Sequence, residues 1–136
     1  MPDRDPTHWL YRLTPPEWLA AATAELEHAR AALGRRAVRP GVTHARRAAG
    51  MALNAALVLA PDDRYGRSYM EHVVALASDD AAPDEARAAA SLLRDTPPLP
   101  PQLIKLGKPD ERAADAAASV IVYARARVAA LSVPVA

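Results

Sequence analysis

The chain contains no cysteine, only two lysines and no apolar run long enough to cross a bilayer. Without cysteine it can form neither disulfides nor thiolate metal sites. The longest apolar run, residues 51–60, is interrupted by Asn54 and is too short for a membrane span. The N-terminus, MPDRDPTHWLYRL, mixes acids with bases and lacks the apolar segment of a signal peptide. We therefore expect a cytoplasmic protein that does not enter a membrane.

The charge balance is nearly even. A net charge of +1 argues against a protein that holds many phosphates of a nucleic acid. Arginine supplies every basic side chain except Lys105 and Lys108, and alanine makes up about a quarter of the chain. Together with 13 prolines, this composition indicates GC-rich codon usage, so a single arginine carries little functional information. Nucleophile triads, glycine-rich phosphate loops and metal clusters are absent from the sequence, and we expect no cofactor and no metal.

What the sequence has instead is helical periodicity, and no segment alternates like a strand. At 136 residues the chain is expected to form one domain. Its core should span 15–131, with an N-terminal extension at 1–13 and a tail at 132–136. The pattern predicts an all-α, up-down antiparallel bundle of four to five helices. Five aromatic residues are expected to fill the core or a dimer interface: Trp9, Trp18, Tyr65, Tyr69 and Tyr123.

Proline and capping signals predict where the helices begin. A capping box at residues 14–17, TPPE, predicts a first helix over 15–33. Residues 35–41 read as a basic connector, after which a central helix runs from Val42 to Ala60. Ser68 and Glu71, three residues apart, are typical of the start of a third helix.

Two further prolines introduce the last two helices. A short helix is predicted after Pro83, and residues 109–111, PDE, are predicted in the first turn of the last one. Residues 96–101, TPPLPP, cannot be helical and are expected to be extended polyproline. They are a stiff spacer or, alternatively, a ligand for a polyproline-binding groove.

Arginine and histidine separated by four residues occur twice, as Arg67 with His72 and as Arg39 with His44. This spacing is found in a class of small helical ribonucleases, where histidine acts as general base or acid and arginine holds phosphate. Random placement of these residue types would give about 1.3 arginine–histidine pairs with four to six intervening residues, so the spacing alone decides nothing. The alternative is that Arg67 and His72 are surface charges at a helix start.

A second basic cluster lies around the turn that leads into the central helix. Arg39, His44, Arg46 and Arg47 gather there, and with Arg67 they are the candidate phosphate or nucleotide contacts. The alternative is a solvated connector, because no aromatic residues are interleaved for base stacking.

Glu25 and His28 have the Glu-x-x-His spacing of di-metal helical proteins. Such sites need a second copy of the motif, and the chain has none. We interpret the pair as surface charge.

Four segments in this order, ELEHARAAL, HARRAAGMALNAALVL, YGRSYMEHVVALA and ERAADAAASVIVYARARVAAL, resemble the HEPN (higher eukaryote and prokaryote nucleotide-binding) domain family. The resemblance covers about residues 15–131. It implies a helical bundle that is commonly a homodimer and is often encoded beside a minimal nucleotidyltransferase. Catalytic members carry Arg-x4–6-His at the start of the last long helix, where this chain has no histidine. His72 instead matches the histidine that opens the middle helix of non-catalytic members.

The leading hypothesis is therefore a non-catalytic HEPN-like domain that binds a nucleotide or a partner. The expected associations are a homodimer, a nucleotidyltransferase partner, and a nucleotide or RNA ligand. One alternative is a metal-independent, toxin-type endoribonuclease that uses Arg67 and His72. Another is a purely structural interaction protein.

Overall fold

The computed structural model describes residues 9–97 and 109–132, which form five α-helices. The helices are α1 (Pro15–Gly34), α2 (Val38–Leu59), α3 (Tyr69–Ala77), α4 (Asp84–Asp95) and α5 (Arg112–Leu131). Two short 3-10 helices, Trp9–Arg12 and Asp63–Tyr65, precede α1 and α3. No strand occurs in this described part of the chain, and the prediction of an all-α bundle is confirmed.

The central helix is α2, which packs against the other four helices. Its contacts with α1 and α5 are the most extensive, and a cluster of small residues lies where these three helices meet. Ala22, Ala52 and Ala124 in that cluster are fully buried, so the three backbones can approach closely. Leu53, which is also buried, belongs to the larger core beside it.

Two of the predicted helix starts are confirmed by their capping hydrogen bonds. At α1 the backbone N–H of Glu17 donates to Thr14 Oγ1 at 3.3 Å, and Thr14 N–H donates to Glu17 Oε1 at 3.0 Å. At α3 the N–H of Glu71 donates to Ser68 Oγ at 3.0 Å. In both places a side chain satisfies a backbone donor that the first helical turn leaves without a partner.

The start of α2 was predicted wrongly. The helix begins at Val38, so Pro40 and Gly41 lie inside its first turn and not in a connector. Proline is compatible with a first turn, where its missing N–H would have no helical partner. Gly41 is required by packing, because a Cβ there would lie 2.6 Å from Leu33 Cγ on α1. The turn is only Arg35–Ala37 long, and Arg36 adopts the left-handed conformation with φ of 64°.

The start of α5 also differs from the prediction. Asp110 was expected in the first turn, but the helix begins at Arg112. The backbone N–H of Arg112 donates to Asp110 Oδ1 at 3.0 Å, which forms a side-chain turn ahead of the helix. Thr96 and Pro97 are non-helical as predicted, and the remainder of the expected polyproline segment lies outside the described residues.

The aromatic residues pack on the core. Trp18 and Tyr65 are buried, and Trp9, Tyr69 and Tyr123 are partly buried against them. Leu10 is buried too, and the carbonyl oxygen of Leu10 accepts a 2.8 Å hydrogen bond from Trp18 Nε1. Trp9 and Leu10, which the sequence placed in an N-terminal extension, therefore pack with the core.

Candidate functional site

A cavity of about 430 Å³ lies between the C-terminal half of α2, the second half of α5 and the segments that flank α3. Leu53, Ala56 and Leu57 on α2 give it an apolar floor. Tyr65 and Tyr123 supply aromatic walls. Its volume lies within the range of small-molecule sites in proteins, roughly 300–1,000 Å³.

Tyr65 and Asp79 form the polar centre of this cavity. The Tyr65 hydroxyl donates to Asp79 Oδ2 at 2.6 Å, and the backbone N–H of Ala81 donates to Asp79 Oδ1 at 3.0 Å. Burial raises the pKa of the Tyr65 hydroxyl, and the Asp79 carboxylate raises it further, so the phenol stays protonated. A carboxylate has about four acceptor positions, so Asp79 can accept further hydrogen bonds from a ligand.

The rim of the cavity carries two arginines in different states. Arg64 is held by Asp62, with its guanidinium donating to both carboxylate oxygens at 2.7–3.2 Å. This pairing lowers the pKa of the Asp62 carboxyl. Arg127 lies one helical turn after Tyr123 on α5 and is exposed. It forms no hydrogen bond or ion pair with any described residue, so its guanidinium is available to an anionic ligand.

The wall at Tyr65 is held in place by His72. Nδ1 of His72 lies 2.6 Å from the backbone carbonyl oxygen of Tyr65, and Nε2 lies 2.7 Å from Asn54 Oδ1. The Trp9 ring stacks on the imidazole at 6.0 Å between centroids and 17° between planes. His72 is 1% exposed and Asn54 is fully buried. The cavity wall therefore depends on a buried polar network directly behind it.

The protonation state of His72 follows from its partners. A carbonyl oxygen can only accept, so Nδ1 must carry the proton that it donates to Tyr65. Burial lowers the pKa of His72, which favours the neutral ring with a lone pair on Nε2. Asn54 Nδ2 is buried and has no hydrogen-bond partner. A half-turn of that amide lets Nδ2 donate to Nε2, which gives each of these two nitrogens a partner.

The structure places Arg67 and His72 in different environments. Arg67 is exposed just before α3, whereas the His72 ring is buried and both of its nitrogens are engaged. His72 is thus not the surface charge that the sequence alternative described. A general base for RNA cleavage must reach a ribose hydroxyl. In this conformation the His72 ring does not face solvent.

Two of the candidate phosphate contacts are engaged within the fold. Arg46 Nε donates to the Leu93 carbonyl at 2.8 Å, and its NH2 nitrogen donates to the Thr96 carbonyl at 2.8 Å. Arg46 therefore binds the carbonyl groups that the end of α4 leaves without helical partners. His44 Nδ1 is paired with the Glu25 carboxylate, whose negative charge disfavours a phosphate there.

The other two candidate contacts on α2 point into solvent. Arg39 and Arg47 are exposed. Arg47 also acts on Tyr69, because its charge lowers the pKa of the Tyr69 hydroxyl while burial raises that pKa more strongly. None of the five candidate contacts lines the cavity.

No group of three or more His, Asp or Glu side chains converges on a possible metal position within the described residues. Among the same residues, no helix has both the length and the apolar character that a bilayer span requires.

Sequence reasoning missed the cavity residues Asp79, Tyr123 and Arg127. Asp79 was not among the candidate residues, and Tyr123 was predicted only as a core or dimer residue. The one available signal was the four-residue spacing of Tyr123 and Arg127, which places an aromatic ring and a cation on one face of a helix. The cavity itself is formed by segments far apart in the chain, and no local pattern reports it.

Comparison with known proteins adds no identification: no protein-family model, no curated protein and no solved structure matches this chain. The residues of the cavity and its supporting network are therefore the basis for a functional conclusion.

Proposed function

We propose that this chain is a non-catalytic nucleotide-binding domain whose site is the cavity between Tyr65 and Tyr123. The observation that carries the proposal is the combination of an apolar floor, an aromatic wall, a hydrogen-bond acceptor and an unpaired cation in one cavity of about 430 Å³. Ligand sites usually combine such apolar walls with a few fixed polar groups.

Each part of a nucleotide has a matching group. The base lies against the Tyr123 ring, because aromatic side chains stack on any base. Asp79 accepts from a ring or exocyclic N–H of the base, using acceptor positions that Tyr65 and Ala81 leave open. Arg127 at the rim pairs with the phosphate, for which its planar guanidinium is suited.

The charges around the cavity agree with this assignment. Two acidic side chains, Asp62 and Asp79, and two basic ones, Arg64 and Arg127, line it. Asp62 neutralises Arg64. The positive charge that remains available among the lining residues is therefore that of Arg127. Asp79 provides negative charge beside the phenol of Tyr65. A ligand that carries both hydrogen-bond donors and an anionic group fits this lining better than a simple anion.

The resemblance to the HEPN family supports two further parts of the proposal, a homodimer and a nucleotidyltransferase partner. The dimer is tested by light scattering of the purified protein at several concentrations. The partner is tested by coexpression with any nucleotidyltransferase encoded next to this gene. A mass of one chain at all concentrations contradicts the dimer, and separate elution of the two proteins contradicts the partner.

Calorimetric titration with ATP, GTP and a short RNA tests nucleotide binding, with inorganic phosphate as the charge control. We expect saturable heat with ATP or GTP and none with phosphate. Arg127→Ala should weaken the binding about tenfold, the loss of one charged hydrogen-bonded contact. Arg125→Ala is the matched control, because it removes the same charge from the same helix outside the cavity.

Three results would contradict the proposal. One is the absence of heat beyond the phosphate control for all three ligands. Another is equal weakening by the Arg127 and Arg125 variants, which indicates a nonspecific charge effect. The third is a loss with Arg47→Ala and none with Arg127→Ala, which would move the site to the exposed arginines of α2.

A further inference from the structure

The rings of His28 on α1 and His44 on α2 lie close together where these two helices pack against each other. Their ring centroids are 5.6 Å apart, and the ring planes are tilted by 33°. The Glu25 carboxylate, one helical turn before His28, is paired with Nδ1 of His44. The three residues form a cluster that we call the α1–α2 histidine site. It lies outside the cavity, whose lining includes none of them.

Glu25 fixes the state of the His44 ring. An ionised carboxylate accepts hydrogen bonds, so Nδ1 of His44 carries the donated proton and Nε2 keeps its lone pair in the neutral ring. Histidines that bind metals commonly donate their other ring N–H to a carboxylate, which orients the ring and makes it more basic. Glu25 is well placed for this role, since its side chain is only 13% exposed and His44 is 31% exposed.

The separation of the rings matches two imidazoles on one ion. Metal–nitrogen bonds of about 2.0–2.1 Å put each ring centroid about 3.2 Å from the ion, so tetrahedral ligands have centroids about 5.2 Å apart. The observed separation of 5.6 Å is close to this value, and His28 is exposed, so its ring can turn a nitrogen towards the ion.

We propose that His28 and His44 bind a borderline divalent cation such as Zn²⁺, Ni²⁺ or Cu²⁺, with Glu25 as the residue that orients His44. Imidazole nitrogen is a preferred ligand for these ions. Since no third His, Asp or Glu of the described residues converges there, the other coordination positions are left to water or to another molecule. The site is independent of nucleotide binding.

Titration of the purified full chain with ZnCl₂ and NiCl₂ in a non-coordinating buffer tests the site. We expect one saturable site per chain. His28→Gln and His44→Gln should each weaken the binding at least tenfold. Glu25→Gln should weaken it about 10–100-fold, as is usual for loss of an orienting carboxylate.

His8→Gln is the matched control, because it removes an imidazole that lies outside the described residues. It should leave the affinity unchanged. Visible absorption of the Co²⁺ complex gives a second readout, and its ligand-field bands should be lost in the His28 variant. Thermal melts identify any variant that fails to fold. Because His28 is exposed, His28→Gln should unfold at the same temperature as the wild type.

The proposal is overturned if His28→Gln binds Zn²⁺ as tightly as the wild type, or if His8→Gln abolishes the binding. If Glu25→Gln binds Zn²⁺ as tightly as the wild type does, Glu25 does not orient His44. Failure of this experiment leaves nucleotide binding untouched, because the two titrations use different ligands and different variants.

Discussion

His72 and His44 each follow an arginine by five positions, yet they occupy opposite environments. His72 is buried, stacks on Trp9 and has both ring nitrogens engaged. His44 is partly exposed at a helix crossing, beside the Glu25 carboxylate and the His28 ring. The same spacing therefore gives a structural histidine in one place and an accessible imidazole in the other. The two histidines differ in burial because different neighbouring helices cover the helix faces that carry them.

Replacing each histidine with alanine should give the largest contrast. We expect His72→Ala to lower the free energy of unfolding by about 2–4 kcal/mol, because it leaves a cavity and removes the partners of Tyr65 and Asn54. His44→Ala should cost less than about 1 kcal/mol, since the partly exposed contact of His44 with Glu25 contributes little. Urea denaturation followed by circular dichroism measures both values.

Equal losses for the two variants would show that burial does not separate these histidines. A second check is the fluorescence of Trp9. It should change in folded His72→Ala, because the indole loses its stacking partner, and should stay unchanged in His44→Ala.

The burial of His72 depends on the close approach of α3 to α2, which a glycine permits. A Cβ at Gly50 would lie 2.6 Å from Tyr69 Cα, so Gly50→Ala must push the helices apart. We expect a loss of about 1–3 kcal/mol from this overpacking. Gly34→Ala is the matched control at the end of α1, where a Cβ would meet no atom within 4 Å.

Gly34→Ala should raise the stability by about 0.4–1 kcal/mol through the lower entropy of the unfolded chain. Thermal unfolding of both variants gives the comparison. If Gly50→Ala unfolds at the same temperature as the wild type, α3 does not pack against α2 as closely as described.

The smallest expected effect is in the dependence of stability on pH. Burial lowers the pKa of His72 from its ordinary value of 6.5 and outweighs the Tyr65 hydrogen bond and the Glu71 charge, which raise it. The unfolded chain therefore binds this proton at a higher pH than the folded chain does. The contribution of His72 to stability is complete above about pH 6.5 and is lost as the pH falls below it, by up to about 1.4 kcal/mol per pH unit.

Urea titrations between pH 5 and pH 8 measure this dependence against His72→Gln, which lacks the titrating group. The difference between the two slopes isolates His72 from the carboxylates, which also destabilise the fold in acid. Equal slopes of stability against pH for the wild type and His72→Gln would mean that His72 has the same pKa in the folded and the unfolded chain.

Much of the fold was predictable because its signals are local. The capping residues Thr14 and Ser68 are each followed three positions later by glutamate, and both caps form. The errors arose where packing reverses a local preference. Pro40 and Gly41 favour a turn in isolation, but both lie in the first turn of α2, where Pro40 is tolerated and Gly41 packs closely against Leu33.

The candidate site was much less predictable. The sequence predicted Arg46 as a phosphate contact, but its guanidinium donates to the carbonyl groups at the end of α4. Asp79 was not a candidate residue, yet its carboxylate accepts a hydrogen bond from Tyr65 inside a cavity. Each of these roles depends on a partner that is distant in sequence or on a cavity that several segments form together.

The sequence by itself determined that this chain is helical and where most helices start and stop, because propensity, capping and proline act over a few neighbouring residues. Only the tertiary structure decided which histidine is buried and which is accessible. It also decided that Tyr65, Asp79, Tyr123 and Arg127 share a cavity. Those outcomes depend on how helices separated in the sequence pack, and an alanine-rich periodic pattern permits several packings with the same local signals.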